Sequence, residues 1–136
     1  MKVDKNSLKI DAAAVSEQLA ETIRTQIRST LRKAGAVVGI SGGIDSSVVL
    51  ALCAKALGPK RVLGIMMPET DSSPDSLTLA RLLADKFGVE TVVENISAGL
   101  DGLGCYRRRD EAIRQVFPEY DNRYTSKIVI PTSILE

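Results

Sequence analysis

Several residue types that carry common enzyme chemistry are scarce in this sequence or missing from it. Its 136 residues include no histidine, no tryptophan and only two cysteines, Cys53 and Cys105, which are not in CxxC spacing. The lack of histidine excludes mechanisms that need an imidazole base, and with so few cysteines the common zinc-binding sets are excluded too. Two unpaired cysteines fit a reducing compartment, and Cys53, inside an apolar run, is expected to be a small buried hydrophobe.

Long apolar segments and an excess of one charge are also absent. The 18 basic and 17 acidic residues leave a net charge of +1, so no global field attracts nucleic acid or a membrane surface. No segment approaches the roughly 18 apolar residues that span a bilayer, and the first residues lack the apolar core of a signal peptide. We therefore expect a cytoplasmic protein with neither a membrane nor a nucleic-acid partner.

Three short aliphatic runs predict buried β-strands, at Ala36 to Ile40, Arg61 to Met67 and Glu90 to Glu94. Strands that alternate with helices favour right-handed crossovers and a parallel sheet. The predicted fold class is therefore α/β, a doubly wound parallel sheet with helices on both faces. The length of the chain, residues 1–136, predicts a single domain.

Helices are predicted before and between these strands from caps and apolar spacing. Asp11 caps the first helix, and its inner face is predicted to be Val15, Leu19, Ile23, Ile27 and Leu31. The second helix is predicted from about Ser46 to Leu57. Ser73 and Pro74 begin the third, with an inner face of Leu79, Ala80, Leu83, Ala84 and Phe87.

The pattern is weaker after Ser97. It predicts a helix from about Arg108 to Val116 and a further strand from Lys127 to Ile130. Three consecutive arginines, residues 107–109, cannot share one helical face, so we expect them to form a solvated helix start. Glu69 and Asp71, near the end of the second strand, are expected to solubilise a loop.

The most informative stretch is the turn between the first strand and the second helix. It reads VVGISGGIDSSVVL, from Val37 to Leu50. Adjacent glycines, Gly42 and Gly43, let the backbone approach an anion, and the amides at the start of the next helix point at the same place. The serine hydroxyls add further donors. The stretch lacks the lysine of a Walker loop and the third glycine of the dinucleotide fingerprint, so both of those sites are excluded.

Asp45 in this turn would repel a bare phosphate, but it fits a site where Mg²⁺ lies between the carboxylate and the phosphate. An alternative interpretation is purely structural. In that case the two glycines make a tight turn, and Asp45 or Ser46 caps the following helix. Four polar residues exceed what one cap needs, which favours the anion site.

These residues resemble a known family. Ser41 to Ser47 (SGGIDSS) matches the SGGxDS pyrophosphate loop of the N-type ATP pyrophosphatases. Met67-Pro68, Ser72-Ser73, Ser76 and the helix end LARLLADKFGVE look most like the NAD synthetases, and the resemblance covers Val15 to Ser97. These enzymes use ATP to adenylate deamido-NAD, and ammonia then displaces AMP.

The resemblance implies a role for each matched position. Ser41, Gly43, Ser46 and Ser47 would hold the β- and γ-phosphates of ATP, with Gly42 in the same nucleotide-binding turn, Asp45 would hold magnesium, and Gly39, Ile40, Met66 and Met67 would flank adenine and ribose. For the methionines, plain core packing is an equal alternative. The resemblance also implies ATP and Mg²⁺ as cofactors, deamido-NAD and ammonia as substrates and a homodimer, while no residue is assigned as catalytic.

The resemblance stops near Leu100. The ENxxxRxR segment, the further magnesium carboxylate and the second phosphate loop of the family are not found, so the chain is expected to lack the family's C-terminal half. Two other functions therefore stay open. One is a related ATP pyrophosphatase with a different acceptor, of the amidotransferase or tRNA thiolation type, and the other is a non-catalytic ATP-binding module.

Overall fold

The computed structural model describes residues 9–124. Contacts within the chain divide these residues into two compact units. The first comprises residues 9–68 and 72–95, and the second comprises residues 69–71 and 96–124. The predicted strand at Lys127 to Ile130 lies outside the described residues, and the single domain over residues 1–136 stays a prediction.

The first unit contains a parallel three-stranded sheet in the order β1-β2-β3. The strands are β1 at Ala36–Gly39, β2 at Val62–Met66 and β3 at Glu90–Val93. Val38 pairs with Gly64, and Gly64 pairs with Thr91. These three residues therefore lie side by side across the sheet, on the same face. The predicted α/β fold class with a parallel sheet is confirmed, and each strand end either coincides with the predicted one or lies one residue inside it.

Three helices accompany this sheet, namely α1 at Ala12–Thr25, α2 at Ile44–Leu57 and α3 at Pro74–Phe87. The predicted caps are confirmed. The Asp11 carboxylate accepts hydrogen bonds from the amides of Ala13 at 3.1 Å and Ala14 at 3.0 Å. The Ser73 hydroxyl accepts one from the amide of Asp75, and Gly88 ends α3 in the left-handed conformation with φ of 65°.

The core of the first unit lies between the helices and one face of the sheet. Because side chains alternate along a strand, Val62 and Met66 of β2 point to this face together with Val38 of β1. They pack against small and aliphatic helical residues, including Leu50, Cys53, Ala54 and Leu57 from α2 and Ala80 and Ala84 from α3. Both crossover helices therefore cover the same face of the sheet, and the predicted cover of helices on both faces is not seen within residues 9–124.

The opposite face of the sheet is apolar and partly open. It carries Val37 of β1, Leu63 and Ile65 of β2 and Val92 of β3. Val37 is 67% exposed and Val92 is 43% exposed, while Leu63 and Ile65 are half-buried. We refer to these four residues as the open sheet face. Parallel sheets normally bury both faces, so this surface is unusual within the described part of the chain.

Two predicted inner faces need correction. In α1, Leu19 is 43% exposed and the small residue Ala20 is buried instead, which allows a close approach to α2. A π-helical turn at Gln26–Thr30 follows α1, and the amide of Leu31 bonds to the carbonyl oxygen of Gln26. This wider turn changes the helical phase, so the prediction that Leu31 faces the core is wrong.

In α3, Leu79 is 50% exposed, so the prediction that it lies on the inner face is also wrong. The buried stripe is instead centred on Ala80 and Ala84, with Leu77, Leu83 and Phe87 packed against the core. Leu77, Ala80 and Ala84 are three and four residues apart, which is the spacing of one helical face. Leu79 lies beside this stripe.

The second unit contains α4 at Ser97–Gly102 and α5 at Cys105–Arg114. Helix α5 begins three residues before the predicted Arg108, because Gly104 adopts the left-handed conformation with φ of 70° and turns the chain into the new helix. Past α5, Arg114 donates to the carbonyl oxygen of Tyr120 at 3.0 Å. The rings of Phe117 and Tyr124 meet edge to face at 5.4 Å.

The two carboxylates expected merely to solubilise a loop have specific partners in this unit. Glu69 accepts a hydrogen bond from the hydroxyl of Tyr106 at 3.0 Å, and Asp71 forms an ion pair with Arg109. Of the three arginines at residues 107–109, the first two are exposed, as a solvated helix start requires, whereas Arg109 is half-buried. None of the helices in residues 9–124 is long and apolar enough to cross a bilayer.

Replacement of Leu50 by alanine tests this core. Leu50 is fully buried on α2, so Leu50→Ala is expected to lower the free energy of unfolding by about 2 to 5 kcal/mol through lost burial and a new cavity. Leu82→Ala is the matched control, since Leu82 on α3 is 67% exposed and its loss should cost less than about 0.5 kcal/mol. Urea unfolding followed by circular dichroism measures both, and equal losses would contradict the assigned core.

Candidate nucleotide site

The glycine turn leaves the sheet at the carboxyl ends of two neighbouring strands. The amide of Ile40, one residue past β1, still donates to the carbonyl oxygen of Ile65 in β2 at 2.9 Å. The chain then turns through Ser41 to Gly43 and enters α2 at Ile44. Ligands of α/β proteins bind at this edge of the sheet, so the predicted anion site stands where the fold places such sites.

Gly42 is held in a conformation and a space that admit only glycine. Its φ is +79°, and a Cβ built on it would lie 2.7 Å from the carbonyl oxygen of Ser76 and 3.2 Å from the Cβ of Leu79. The obstacle is therefore backbone of α3, which cannot rotate out of the way. The turn after β1 and the first turns of α3 are in direct contact, and a hydrogen atom in place of a side chain makes this contact possible.

The serine hydroxyls form a network that shapes the turn. The hydroxyl of Ser46 donates to the carbonyl oxygen of Gly43 at 3.1 Å and accepts from the amide of Ser41 at 3.2 Å. The hydroxyl of Ser47 donates to the same Gly43 carbonyl oxygen at 2.7 Å. The Ser41 hydroxyl lies 3.2 Å from that of Ser46. The three serines therefore belong to one connected hydrogen-bond network, while their predicted role as donors to an anion stays a prediction.

Helix α2 begins without a side-chain cap. Its N-cap is Gly43, and α2 starts at Ile44, two residues before the predicted start. The alternative interpretation, in which Asp45 or Ser46 caps the helix, is therefore wrong. Asp45 instead lies exposed in the first turn of α2. Because the N-cap has no side chain, the positive end of the helix dipole and the first-turn amides stay accessible to an anion.

A cleft of about 280 Å³ adjoins the turn in the first unit. Five predicted site residues line it, namely Gly39, Ile40, Ser41, Met66 and Met67. The other five belong to the turn and the start of α2, and Ser41 connects the two groups: Gly42, Gly43, Asp45, Ser46 and Ser47. The structure thus places five of the predicted residues in the wall of the cleft and the other five in the adjoining turn and the start of α2.

The two methionines differ in their surroundings. Met66 lines the cleft but is only 1% exposed and packs in the core, so core packing accounts for this side chain. Met67 is 48% exposed, and a Cβ on Gly39 would meet its terminal methyl carbon at 3.5 Å. The terminal methyl group of Met67 therefore lies close to Gly39 at the end of β1, at a distance where a Cβ would make an ordinary van der Waals contact.

Half of the cleft wall was not assigned from the sequence. The additional lining residues follow β2 or begin α3: Pro68, Ser72, Ser73, Ser76 and Leu77. Most of them occur in the stretches that resemble the family, yet they were given no role. The signal that could have found them is positional, because residues after the end of a strand adjacent to β1 meet the glycine turn at the same sheet edge.

The donors around the turn can be compared with the needs of a metal ion. Within residues 9–124, no three His, Cys, Asp or Glu side chains are close enough to hold a metal between them. The turn offers one carboxylate, Asp45, and three hydroxyls. This set suits Mg²⁺ better than a metal that needs an all-protein cage, since Mg²⁺ is commonly bound through one or two carboxylates together with substrate phosphates and water.

The thiol of Cys53 takes no part in this site. It is 7% exposed within the core cluster, and burial raises the pKa of Cys53 by disfavouring the charged thiolate. Both described cysteines are unpaired. The prediction that Cys53 is a small buried hydrophobe is therefore confirmed.

Comparison with known proteins gives a consistent result. Residues 15–110 match the NAD synthase family. The chain is 52% identical over 129 residues to the NH(3)-dependent NAD(+) synthetase of Rhizobium meliloti, a match that covers 95% of this chain and 38% of that protein. The chain therefore spans about two fifths of the length of the curated relatives that it matches.

Two solved structures resemble the described fold. The NH3-dependent NAD synthetase of Campylobacter jejuni superposes with a TM-score of 0.63 at 30% identity, over 69% of this chain and 40% of that one. The glutamine-dependent NAD+ synthetase of Acinetobacter baumannii, solved with adenosine diphosphate, superposes with a TM-score of 0.63 at 25% identity, over 91% of this chain and 22% of that one.

The Gly42 contact leads to a stability prediction. Gly42→Ala places a Cβ in a left-handed residue and against the Ser76 carbonyl oxygen, and it is expected to cost about 2 to 5 kcal/mol. Gly88→Ala is the matched control, because Gly88 is left-handed, with φ of 65° and ψ of 30°, and the nearest heavy atom to a built Cβ is the Cβ of Pro59 at 4.0 Å. The control should cost only about 1 to 2 kcal/mol. Urea unfolding that gave equal losses would contradict the contact with α3.

Proposed function

Since the chain belongs to the NAD synthase family, we propose that it is the ATP-binding part of an ammonia-dependent NAD synthetase. The single observation that supports this most directly is the glycine turn at the carboxyl end of β1, next to a cleft. The substrates proposed for the whole protein are ATP, deamido-NAD and ammonia. The relatives named for this activity are more than twice as long as the chain, so the acceptor is assigned by family.

We propose that the turn binds the phosphates of ATP. The backbone at Gly42 and Gly43 can approach an anion closely, and the first amides of α2 and the hydroxyl of Ser41 supply donors. The hydroxyls of Ser46 and Ser47 donate to the Gly43 carbonyl oxygen in this structure, and they would rotate toward the phosphates to donate to them. The β- and γ-phosphates would lie here. The adenine and ribose would occupy the cleft beside Gly39, Ile40 and Met67, where a largely apolar wall suits a base.

Asp45 is the proposed magnesium ligand, acting together with phosphate oxygens of the bound nucleotide. It is exposed in the first turn of α2, close in sequence to each of the three serines. A magnesium ion bound there would neutralise negative charge on the pyrophosphate group. Without the ion, the Asp45 carboxylate and the phosphates would repel each other.

The proposed reaction has two steps. The nicotinate carboxylate of deamido-NAD attacks the α-phosphorus of ATP, and the bond to the bridging oxygen breaks to release pyrophosphate. Ammonia then attacks the acyl carbon, AMP leaves, and a proton passes to solvent. The residues of this chain contribute by holding the triphosphate in line and by stabilising the charge on the leaving group, so no histidine is needed.

We also propose that the whole protein is a cytoplasmic homodimer, as the family resemblance suggests. Support comes from α2, whose outer side exposes Ile44 by 78%, Val48 by 50% and Val49 by 47%. A helix that is apolar on all sides is typical of one buried by further structure. Light scattering on the purified chain measures the mass directly, and a monomer at all accessible concentrations would contradict the dimer for these residues.

Calorimetric titration of ATP into the full 136-residue chain, with and without Mg²⁺, tests the proposed site. We expect binding that Mg²⁺ strengthens, and we expect Asp45→Asn to remove that strengthening and weaken binding in Mg²⁺ by about tenfold or more, equivalent to about 1.4 kcal/mol. Circular dichroism would confirm that each protein is folded. A folded wild-type chain that fails to bind ATP would contradict the proposed function.

Asp75→Asn provides a matched control for this experiment. Asp75 is the second residue of α3, as Asp45 is of α2, and both are exposed carboxylates in a first helical turn. The two substitutions therefore remove the same favourable interaction with a helix dipole. Only Asp45→Asn should abolish the magnesium effect, and a similar loss in Asp75→Asn would indicate a general charge effect.

A further inference from the structure

The segment between β2 and α3 has two parts with different surroundings. Its ends, Met67-Pro68 and Ser72-Ser73, line the cleft of the first unit. Its middle, residues 69–71, belongs to the second compact unit, where it contacts α5. Within the seven residues 67–73, the outer residues therefore line the cleft and the middle residues contact α5.

Three side-chain interactions hold the middle of this segment. The Tyr106 hydroxyl donates to the Glu69 carboxylate at 3.0 Å and accepts from the amide of Thr70 at 3.4 Å. The guanidinium of Arg109 pairs with the carboxylate of Asp71. These contacts fix a side chain or the backbone at every position from 69 to 71. We call Tyr106 and Arg109 the loop clamp.

The two members of the loop clamp also support each other. The Arg109 guanidinium lies over the Tyr106 ring, 5.2 Å from its centroid, and its Nη2 lies 2.9 Å from the Asp110 carboxylate. A guanidinium that is stacked and paired on two sides has little rotational freedom left, so less freedom is lost when it binds Asp71. The ion pair between Arg109 and Asp71 in turn restricts the conformational freedom of residues 69–71.

The structure assigns Tyr106 and Arg109 a positioning role in nucleotide binding: they hold residues 69–71, and so preorganise the adjoining cleft residues Pro68 and Ser72. Residues 69–71 are joined directly to Pro68 and Ser72 by peptide bonds. When the conformation of residues 69–71 is fixed, these two neighbours can therefore adopt fewer backbone conformations. A wall that is already ordered loses less conformational entropy when a ligand binds. This inference rests on the proposed function of the cleft.

Binding of two probes to the full chain tests the loop clamp. ATP spans the turn and the cleft, whereas inorganic tripolyphosphate carries only the charge that the turn would hold. We expect Arg109→Met and Tyr106→Phe each to weaken ATP binding in Mg²⁺ by about three- to tenfold, as expected for lost preorganisation, with tripolyphosphate affinity unchanged. Tyr106→Phe removes one hydroxyl, so it still tests the clamp if Arg109→Met folds poorly.

Two further variants sharpen this test. Arg107→Met is the matched control, since Arg107 is on the same helix but pairs with Glu111 at the surface, and its ATP affinity should equal that of the wild type. Asp71→Asn combined with Arg109→Met should lose no more affinity than Arg109→Met alone, because both remove one interaction. Arg109→Lys keeps the charge and should recover part of the lost affinity.

The outcomes separate this inference from the proposed function. Wild-type ATP affinity in both clamp variants would overturn the loop clamp and leave the proposed function intact. Parallel losses for ATP and tripolyphosphate would also overturn it, because they would indicate general damage to the fold. A folded wild-type chain that binds neither probe would overturn the proposed function and the clamp together.

Discussion

The candidate site depends on the register of β1 and β2, because the register places the ends of the two strands side by side. Gly39 pairs with Ile65, and the amide of Ile40 bonds to the Ile65 carbonyl oxygen, so both strands finish at the same edge of the sheet. The two loops that follow must then share the space above that edge. Gly42 resolves the crowding, because its missing side chain lets the first loop lie directly on the backbone of α3 at Ser76. Strand register thus determines the loop geometry, and the loop geometry determines the site.

Much of the fold can be predicted from local chemistry. Asp11 and Ser73 accept hydrogen bonds from amides in the first turns of their helices, and Gly88 ends α3, because these signals depend only on nearby residues. The wrong predictions concern which helical residues face the core, because tertiary packing and helix geometry determine this. Leu79 is displaced from the core by Ala80, and Leu31 is rotated out of phase by the π-helical turn that ends at Thr30. Apolar spacing alone does not reveal either effect.

The glycine turn of the site could be predicted from the sequence, whereas the part of the cleft wall that α3 contributes could not. The turn from Ser41 to Ser47 is contiguous, so its glycines and hydroxyls can be interpreted together. Ser76 and Leu77 reach the same cleft from another part of the chain, and only the pairing of β1 with β2 brings them there. Glu69 and Asp71 looked like ordinary loop carboxylates because their partners, Tyr106 and Arg109, are more than thirty residues away.

The open sheet face affects how the folding of this chain can be monitored. Val37 and Val92 present aliphatic surface to solvent in the folded state, beside the half-buried Leu63 and Ile65. Dyes such as ANS bind exposed apolar surface and are widely used to detect molten globules. Within residues 9–124 such a surface is present in the folded state, so dye fluorescence alone would be a poor way to distinguish native from partly folded chains. The sequence also contains no tryptophan to serve as an intrinsic reporter, which leaves circular dichroism and hydrogen exchange as the informative methods.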